Sequence, residues 1–289
     1  MPHIERRSKL RKSALQRHGW RQMNDASPVL LESDGEVITI TLNRPDSLNS
    51  LDYPMALALR NAIDQAAEQV AGQSSKTRAR VVVLRGAGTS FCGGGDVAAM
   101  HEHRDDLPAF IDRMIDAFHG SVLALARLQV PVVASVRGAV AGGGFSLALA
   151  CDLVIAARNT RFVVAYPKLG APADGGLSFQ LTQRLGPMQG FETLNLHGTL
   201  AAEKALSLRL INRIVDDDSA DAEAQAWARD LAAMAEQSVN ELKGLVTAQS
   251  YAALQAHLAR EKAAFLRCAA TPDFVARVAA FVAKQRGAT

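Results

Sequence analysis

The stretch 131–152, PVVASVRGAVAGGGFSLALACD, places a short apolar strand before a glycine triplet and a helix of small residues after it. Because Gly142, Gly143 and Gly144 carry no side chains, the backbone N–H groups at the start of that helix can approach a negatively charged oxygen closely. This stretch is therefore the first candidate for the functional site.

A second glycine cluster follows another apolar strand upstream. The strand is predicted at 80–85, and the sequence FCGGGD occupies 91–96. Two strand-to-glycine turns that each open a helix can direct two N–H donors at one oxygen, which is the arrangement of an oxyanion hole. The two clusters together are stronger evidence for such a site than either one alone.

Length and composition indicate one large globular domain with an added segment. The chain has 289 residues, of which 48% are hydrophobic, so it can bury a full core. No apolar run approaches the roughly 18 residues of a membrane helix, which predicts a protein that does not span a membrane. Cys92, Cys151 and Cys268 are odd in number and widely spaced, which argues against a disulfide framework and favours a reducing, cytoplasmic location.

Positive charge is concentrated at the start of the chain. Residues 1–22 contain seven Lys and Arg against one Glu, a local charge of +6, whereas the formal charge of the whole chain is +3. The rest of the chain is therefore mildly acidic, and a general nucleic-acid-binding surface is not indicated. The leader over 1–27 fits a transit peptide, a disordered tail, or an upstream start ahead of Met23.

Hydrophobic periodicity predicts strands alternating with helices up to Gly176 and almost only helices beyond it. The alternation over 28–43 is typical of one half-buried strand. Strands and helices that alternate indicate an α/β layered fold, and apolar helix edges in the second part favour association between subunits. The further strands are predicted from 131 and at 152–157 and 161–164, and the helices at 51–70, 106–129, 201–209, 221–235, 239–248, 251–267 and 272–284.

The order of several motifs resembles the crotonase superfamily, the enoyl-CoA hydratase/isomerase family, over residues 28–286. The resemblance implies a crotonase-like spiral of β-β-α repeats over 28–200, a helical trimerisation region over 201–289, and a homotrimer or a dimer of trimers. The motifs are LNRP at 42–45 with LNSL at 48–51, FCGGGD at 91–96, the glycine triplet with ACD at 150–152, and GT at 198–199 with Ala202 and Ala205 ahead of IV at 214–215.

The resemblance also implies a pocket for an acyl-coenzyme A thioester, with coenzyme A as part of the substrate and no separate cofactor. By match to the motifs, the thioester carbonyl would accept hydrogen bonds from the N–H groups of Gly95 and Gly143. Backbone groups around Gly93, Gly95 and Val97 would hold the adenine ring. Lys284 would meet the coenzyme phosphates of its own or of a neighbouring subunit, with a solvated lysine at a helix end as the alternative.

The chain departs from the family's hydratases at both positions where they hold catalytic glutamates. Ser146 stands at the first position and Tyr166 at the second, and neither side chain can act as a general base unaided at neutral pH. Ser146 is expected to line the substrate pocket or to bond the helix backbone, and Tyr166 to line the pocket. Asp174 resembles the single catalytic aspartate of isomerases in this superfamily, with a turn or helix-capping aspartate as the alternative.

These features favour an isomerase that shifts a double bond in an unsaturated acyl-CoA, with Asp174 as the sole acid and base. Three alternatives stay open: a hydrolytic dehalogenase of aryl-CoA thioesters with the same aspartate as nucleophile, an enoyl-CoA hydratase, and a pseudoenzyme that binds coenzyme A. Cys92 is interpreted as a packing residue and the pair His101 and His103 as solvated loop residues, so no metal site is predicted.

Overall fold

The structure is a computed structural model that describes residues 27–72, 78–247 and 250–286, so nearly all of the basic leader lies outside the described residues. Within these ranges the strands are β1 Val29–Asp34, β2 Val37–Leu42, β3 Val81–Gly86, β4 Val132–Val136, β5 Ala139–Ala141, β6 Leu153–Ala157, β7 Arg161–Val163, β8 Thr199–Ala201 and β9 Arg213–Val215. The α-helices are α1 Tyr53–Val70, α2 Val97–Glu102, α3 Leu107–Arg127, α4 Gly143–Leu149, α5 Leu177–Leu185, α6 Pro187–Asn195, α7 Ala202–Ser207, α8 Ala220–Ala233, α9 Glu236–Thr247, α10 Tyr251–Ala269 and α11 Pro272–Arg286.

The larger sheet has the strand order β1-β2-β3-β4-β6-β9, and all neighbouring strands except β1 and β2 run parallel. The strands β2 and β4 are buried along their whole length. One face of the sheet packs on the main core, and on the other face Ala224 and Ala228 of α8 join an apolar cluster with Val83 and Val133. Because helices cover both faces, the parallel strands need apolar residues on both.

The first strand pair corrects the prediction of one half-buried strand over 28–43. The structure divides this segment at Gly35, whose φ of +61° suits a tight turn, and the register pairs Val29 of β1 with Leu42 of β2. The prediction of a half-buried strand was also wrong for β2, whose six residues are all buried. Its second face is covered by α8, where Gln225 Nε2 donates a hydrogen bond to the Thr39 hydroxyl at 2.8 Å.

The smaller sheet, with the order β5-β7-β8, places the glycine triplet next to the upstream glycine cluster. The chain leaves β4 and enters β5 through a turn at Gly138, which has a φ of +54°. Parallel main-chain pairing between Cys92 and Val140 then joins the segment 91–96 to β5. Backbone hydrogen bonds therefore hold the two glycine clusters side by side.

The helices α1 and α3 pack on each other and contribute much of the main core. The first begins after Asp52, whose carboxylate accepts a hydrogen bond from the N–H of Met55 at 2.8 Å. The predicted ranges 51–70 and 106–129 differ from these two helices by no more than two residues at either end. Amphipathic periodicity over four or more turns was therefore sufficient to find them.

The second part of the chain differs from its prediction at two strands. The predicted helices are present with shifted ends, but β8 and β9 lie in a segment expected to be almost entirely helical. Each strand has three residues and pairs with the edge of a sheet that other strands build, so no local periodicity marks it. None of the helices in the described residues combines the length and the apolar composition of a transmembrane segment.

Candidate active site

The two glycine clusters are in direct contact. A Cβ atom added to Gly94 would stand 2.7 Å from the carbonyl oxygen of Ala141, and one added to Gly144 would stand 2.4 Å from the carbonyl oxygen of Cys92. Gly94 also has a φ of +91°, a conformation that favours glycine. The packing of one turn on the other therefore requires glycine at both positions.

Gly95 and Gly143 line one cavity of about 590 Å³. Within the described residues, neither of their backbone N–H groups has a hydrogen-bond acceptor. The helices α2 and α4, which follow these turns, have only six and seven residues. A bound oxygen would therefore be stabilised by hydrogen bonds from the N–H groups rather than by the dipole of a long helix. Much of the remaining wall is apolar and comes from Leu51, Met100, Met114, Ile115, Phe118 and Phe265.

Asp174 lines the same cavity and is only 6% exposed. Its Oδ1 lies 2.6 Å from Nε2 of His119, a buried residue of α3. Because an ionised carboxylate can only accept hydrogen bonds, we assign the hydrogen of the imidazole to Nε2. The N–H of Gly175 points at the same nitrogen from 3.4 Å, which is too long to compete. No hydrogen-bond donor among the described residues binds Oδ2.

Two hydroxyl groups hold the backbone of Asp174. Its carbonyl oxygen accepts a hydrogen bond from Ser146 Oγ at 2.6 Å and another from the Tyr166 hydroxyl at 3.0 Å. Burial, and to a smaller extent the charge of Asp174, raises the pKa of Tyr166 well above its usual range, so this phenol stays protonated and donates. The Tyr166 ring is part of the cavity wall, whereas Ser146 stands behind the wall and bonds the backbone.

A buried glutamate fixes the start of α5, immediately after this loop. Glu261 of α10 accepts hydrogen bonds from the N–H of Gly176 at 2.6 Å and from the N–H of Ser178 at 3.2 Å. The Ser178 hydroxyl donates to the same carboxylate at 2.5 Å and lies 2.7 Å from Nε2 of His257. Side chains from α3, α4 and α10 therefore hold the loop that carries Asp174.

One group of side chains has the composition of a metal site. The ligand atoms of His119, Asp174 and Glu261 all lie within 4.8 Å of one another. Each is already bonded within the protein, because His119 binds Asp174 and Glu261 accepts two backbone N–H groups. The group therefore fits a hydrogen-bonded support of the loop, and no cation is needed to satisfy it.

The sequence model of the enoyl-CoA hydratase/isomerase family matches residues 32–287. The chain belongs to this family. Its relatives include the 1,2-epoxyphenylacetyl-CoA isomerase of Escherichia coli (strain K12), which is 30% identical over 258 residues, or 89% of this chain and 96% of that protein. Another family member, named "Probable enoyl-CoA hydratase EchA12", from Mycobacterium tuberculosis (strain ATCC 25618 / H37Rv), is 35% identical over 188 residues, or 63% of this chain and 64% of that protein.

Solved structures of the enoyl-CoA hydratase/isomerase family share the fold. The crystal structure of an enoyl-CoA hydratase from Mycobacterium avium subsp. paratuberculosis K-10 matches with a TM-score of 0.77 at 29% identity, over 89% of this chain and 100% of that chain. These comparisons confirm the family resemblance and the α/β crotonase fold with its helical C-terminal region. An acyl-CoA thioester substrate is consistent with the family, whose members carry both isomerase and hydratase names.

The structure brings most of the predicted site residues to the wall of one cavity. Lys284 is not among them, because its side chain is exposed and the neighbouring Phe281 and Gln285 of α11 form that part of the wall. Lys168, which the sequence analysis did not select, is the basic side chain in the described part of the wall. The predicted residues that line the cavity are Gly93, Gly95, Val97, Gly143, Tyr166 and Asp174.

The sequence analysis also missed His119 and Glu261. His119 lies four residues after Ile115 and three before Val122, which places it on the apolar face of α3. A lone histidine on such a face was the signal that could have identified it, since a buried imidazole needs a polar partner. Glu261 gave no comparable signal, because it stands between Arg260 and Lys262 in a short charged run of α10.

Proposed function

We propose that the chain is an acyl-CoA isomerase in which Asp174 is the sole acid and base. The observation that carries the proposal is the buried carboxylate of Asp174 in the same cavity wall as the unpaired N–H groups of Gly95 and Gly143. The E. coli relative named as an isomerase, which is 30% identical over 89% of the chain, adds support.

The other carboxylates in the described part of the wall are less suited to this role. Asp46 is exposed on the surface. Asp96 caps α2 by accepting a hydrogen bond from the N–H of Ala99 at 3.1 Å, and it pairs with Arg44 at 3.2 Å. Proton transfer in the cavity is therefore assigned to Asp174.

In the proposed reaction, Asp174 takes a proton from the carbon next to the thioester carbonyl or from its vinylogous position. The electron pair moves to the thioester oxygen, and the N–H groups of Gly95 and Gly143 stabilise the resulting enolate or dienolate. Protonated Asp174 then returns the proton to another carbon of the conjugated system, so the double bond shifts and no atom is gained or lost. One such donor is typically worth about 3 kcal/mol of barrier.

Three residues support Asp174 in this proposal by position rather than by contact with the substrate. The imidazole of His119 holds Oδ1, which leaves Oδ2 to face the substrate. The hydroxyls of Ser146 and Tyr166 hold the carbonyl of the same residue. A base fixed in this way keeps the short distance to carbon that proton transfer needs.

Hydration of a double bond is less well supported. It needs a second group to activate water, and by resemblance Ser146 and Tyr166 occupy the positions of the two hydratase glutamates. Both hydroxyls are hydrogen-bonded to the carbonyl of Asp174, and neither side chain is a carboxylate. The relative with a hydratase name is more similar, at 35% identity, but over only 63% of the chain.

The direct test is a panel of 2-enoyl-, 3-enoyl- and dienoyl-CoA thioesters, with products resolved by mass spectrometry and NMR. The wild type is expected to give products of unchanged mass with a shifted double bond, and Asp174→Asn to be slower by about a thousandfold. Asp64→Asn, at a half-exposed position of α1, serves as the control and should match the wild type. A product heavier by one water, formed by wild type and Asp174→Asn alike, would contradict the proposal.

The His119–Asp174 pair favours a second candidate function, hydrolytic displacement on an aryl-CoA thioester. An Asp174 oxygen would bond the ring carbon that carries a halogen, and the halide would leave with the bonding electron pair. Water would then add to the carbonyl carbon of the aryl-aspartyl ester and give a proton to the ring nitrogen of His119 that carries none. The bond from that carbon to the aryl oxygen would break, His119 would return the proton to the aryloxide, and the hydroxyaryl-CoA would leave with Asp174 regenerated. Halide release or a covalent aspartyl intermediate detected by mass spectrometry distinguishes this reaction from isomerisation.

The proposed assembly is a homotrimer or a dimer of trimers, as the resemblance implies. Large apolar side chains support association, since Met188 and Phe191 of α6 are 87% and 71% exposed and Leu245 and Val246 of α9 are 76% and 82% exposed. Light scattering combined with size-exclusion chromatography tests this. A mass equal to one chain at micromolar concentration would reject the assembly.

A further inference from the structure

A second cavity, of about 370 Å³, lies behind the first one. Tyr166 lines both cavities, while Asp174 lines the first and its neighbour Ala173 lines the second. The ring of Tyr166 and the loop at 173–174 are therefore the partition between the two spaces.

The Tyr166 ring stands next to the glycine turn that carries Gly143. A Cβ atom added to Gly142 would lie 3.9 Å from Cζ of the ring, and the hydroxyl beyond Cζ bonds the carbonyl of Asp174. The edge of the ring meets Phe265, with centroids 6.4 Å apart and planes at 83°. The ring thus extends from the glycine turn to the loop of Asp174 and is packed in place.

The walls of the second cavity suit hydrocarbon. Several polar side chains there already have protein partners. Arg260 donates to Nδ1 of His257 at 3.1 Å, Ser178 joins His257 to Glu261, and Asn195 donates to the carbonyl oxygen of Phe191 at 2.8 Å. Phe191, which is 71% exposed, borders the cavity on its outer side. The apolar part of the wall comes from Val164, Pro172, Ala173, Phe191, Leu194 and Ala264.

We infer that the ring of Tyr166 ends the acyl pocket and sets the length of acyl group that the protein accepts. This inference rests on the proposed function, because it assumes that an acyl thioester binds between Gly143 and Asp174. The substrate class is then an acyl group that is compact or cyclic at its far end, and the second cavity stays unused behind the ring. Tyr166 is in this sense a specificity-determining residue.

The test is the chain-length profile of kcat/KM for unsaturated acyl-CoA thioesters that grow by two carbons at a time. In the wild type, kcat/KM should fall by about tenfold or more for each methylene group beyond the length that reaches the ring. Tyr166→Ala joins the two cavities and should move that fall to longer chains. Each methylene that enters the second cavity should add about fourfold to binding, which is the usual transfer free energy of a buried CH₂.

Two further variants separate the ring's role as a wall from the role of its hydroxyl. Tyr166→Phe keeps the ring and loses the bond to the Asp174 carbonyl, so it should lower kcat at every chain length and leave the length limit unchanged.

Ala264→Leu fills part of the second cavity and should leave the wild-type profile unchanged. In the Tyr166→Ala background the same substitution should cancel the gain for long chains. If Tyr166→Ala does not fold, as judged by circular dichroism, Tyr166→Leu provides the same comparison.

The outcomes distinguish this inference from the proposed function. A wild type that is active on short members, together with a Tyr166→Ala variant whose length limit is unchanged, would overturn the inference alone. A wild type that turns over short and long members equally would also overturn it alone. A wild type without activity on any member would overturn both the inference and the proposed function.

Discussion

The imidazole Nε2 of His119 and the carboxylate Oδ1 of Asp174 lie 2.6 Å apart, and both side chains are less than a tenth exposed. The pair connects the middle of the long helix α3 to the loop before α5, 55 residues further along the chain. A hydrogen bond to a carboxylate in a buried setting is stronger and more directional than one in water. It therefore fixes one oxygen of Asp174, a residue of the cavity wall, and leaves the other without a donor among the described residues.

Substitution of His119 tests whether this hydrogen bond positions Asp174. Glutamine can place an N–H group near the carboxylate, whereas leucine cannot, so His119→Gln should retain most of kcat and His119→Leu should lose about ten- to a hundredfold, with KM little changed. Steady-state kinetics on the preferred thioester measures both. Equal and complete loss in both variants would instead indicate that His119 itself transfers protons, as the displacement reaction requires.

Gly144 tests the contact between the two glycine turns. A Cβ atom in Gly144→Ala would stand 2.4 Å from the carbonyl oxygen of Cys92, so the turns must separate and the N–H groups of Gly95 and Gly143 must shift. We expect a loss of about 2 kcal/mol of stability from overpacking and a large fall in kcat. Gly244→Ala, in helix α9 with open space around it, is the control and should raise stability by about 1 kcal/mol. A fully active and stable Gly144→Ala would contradict the contact.

The sequence predicted those parts of the fold and site that depend on local pattern. The helices α1 and α3 repeat apolar residues over several turns. The glycine clusters are visible in the sequence because two turns that pack closely need residues without side chains. The hairpin at Gly35 was missed although the polar run ESDGE at 32–36, with its Asp-Gly pair, is a turn signal, whereas β9 was missed because three residues carry no period. Only its pairing with β6 defines β9 as a strand.

The support of Asp174 depends on contacts between distant segments, which a single sequence does not reveal. His119 and Glu261 reach the loop from 55 and 85 residues away, on helices whose own patterns were already explained by packing and solvent exposure. Similarly, Lys284 was selected by motif, while the fold turns Phe281 and Gln285 of the same helix to the cavity.

The ion pair of Lys243 with Asp152 joins α9 to the larger sheet. Its Nζ lies 2.7 Å from the Asp152 carboxylate and 2.8 Å from the carbonyl oxygen of Val130, and the lysine side chain is only 8% exposed. Lys243→Met leaves both acceptors without this donor and should cost about 2–3 kcal/mol of unfolding free energy, measured by urea denaturation. Arg158→Met, which breaks a pair with Glu203 that is about 60% exposed, should change it by less than about 0.5 kcal/mol. Equal effects of the two substitutions would reject this reasoning.

Buried acidic groups predict a loss of stability at alkaline pH. Burial raises the pKa of the Cys92 thiol from 9.0 to about 12, and burial also raises the pKa values of Cys151 and Tyr166. The unfolded chain therefore loses these protons at lower pH than the folded chain does, so stability is complete below about pH 9 and falls as the pH rises toward 12. Each group contributes a slope of up to about 1.4 kcal/mol per pH unit. In urea denaturation between pH 8 and 11, Cys92→Ala should show a shallower fall, and an identical slope in both proteins would contradict the assignment.

The most direct test of the account is deuterium incorporation into an unsaturated acyl-CoA in heavy water, followed by mass spectrometry and NMR. We predict that the wild type places deuterium on the carbons that exchange the proton, and that Asp174→Asn does so about a thousandfold more slowly while binding the thioester with similar affinity. Equal rates of incorporation in the two proteins would show that another group moves the proton and would contradict the account.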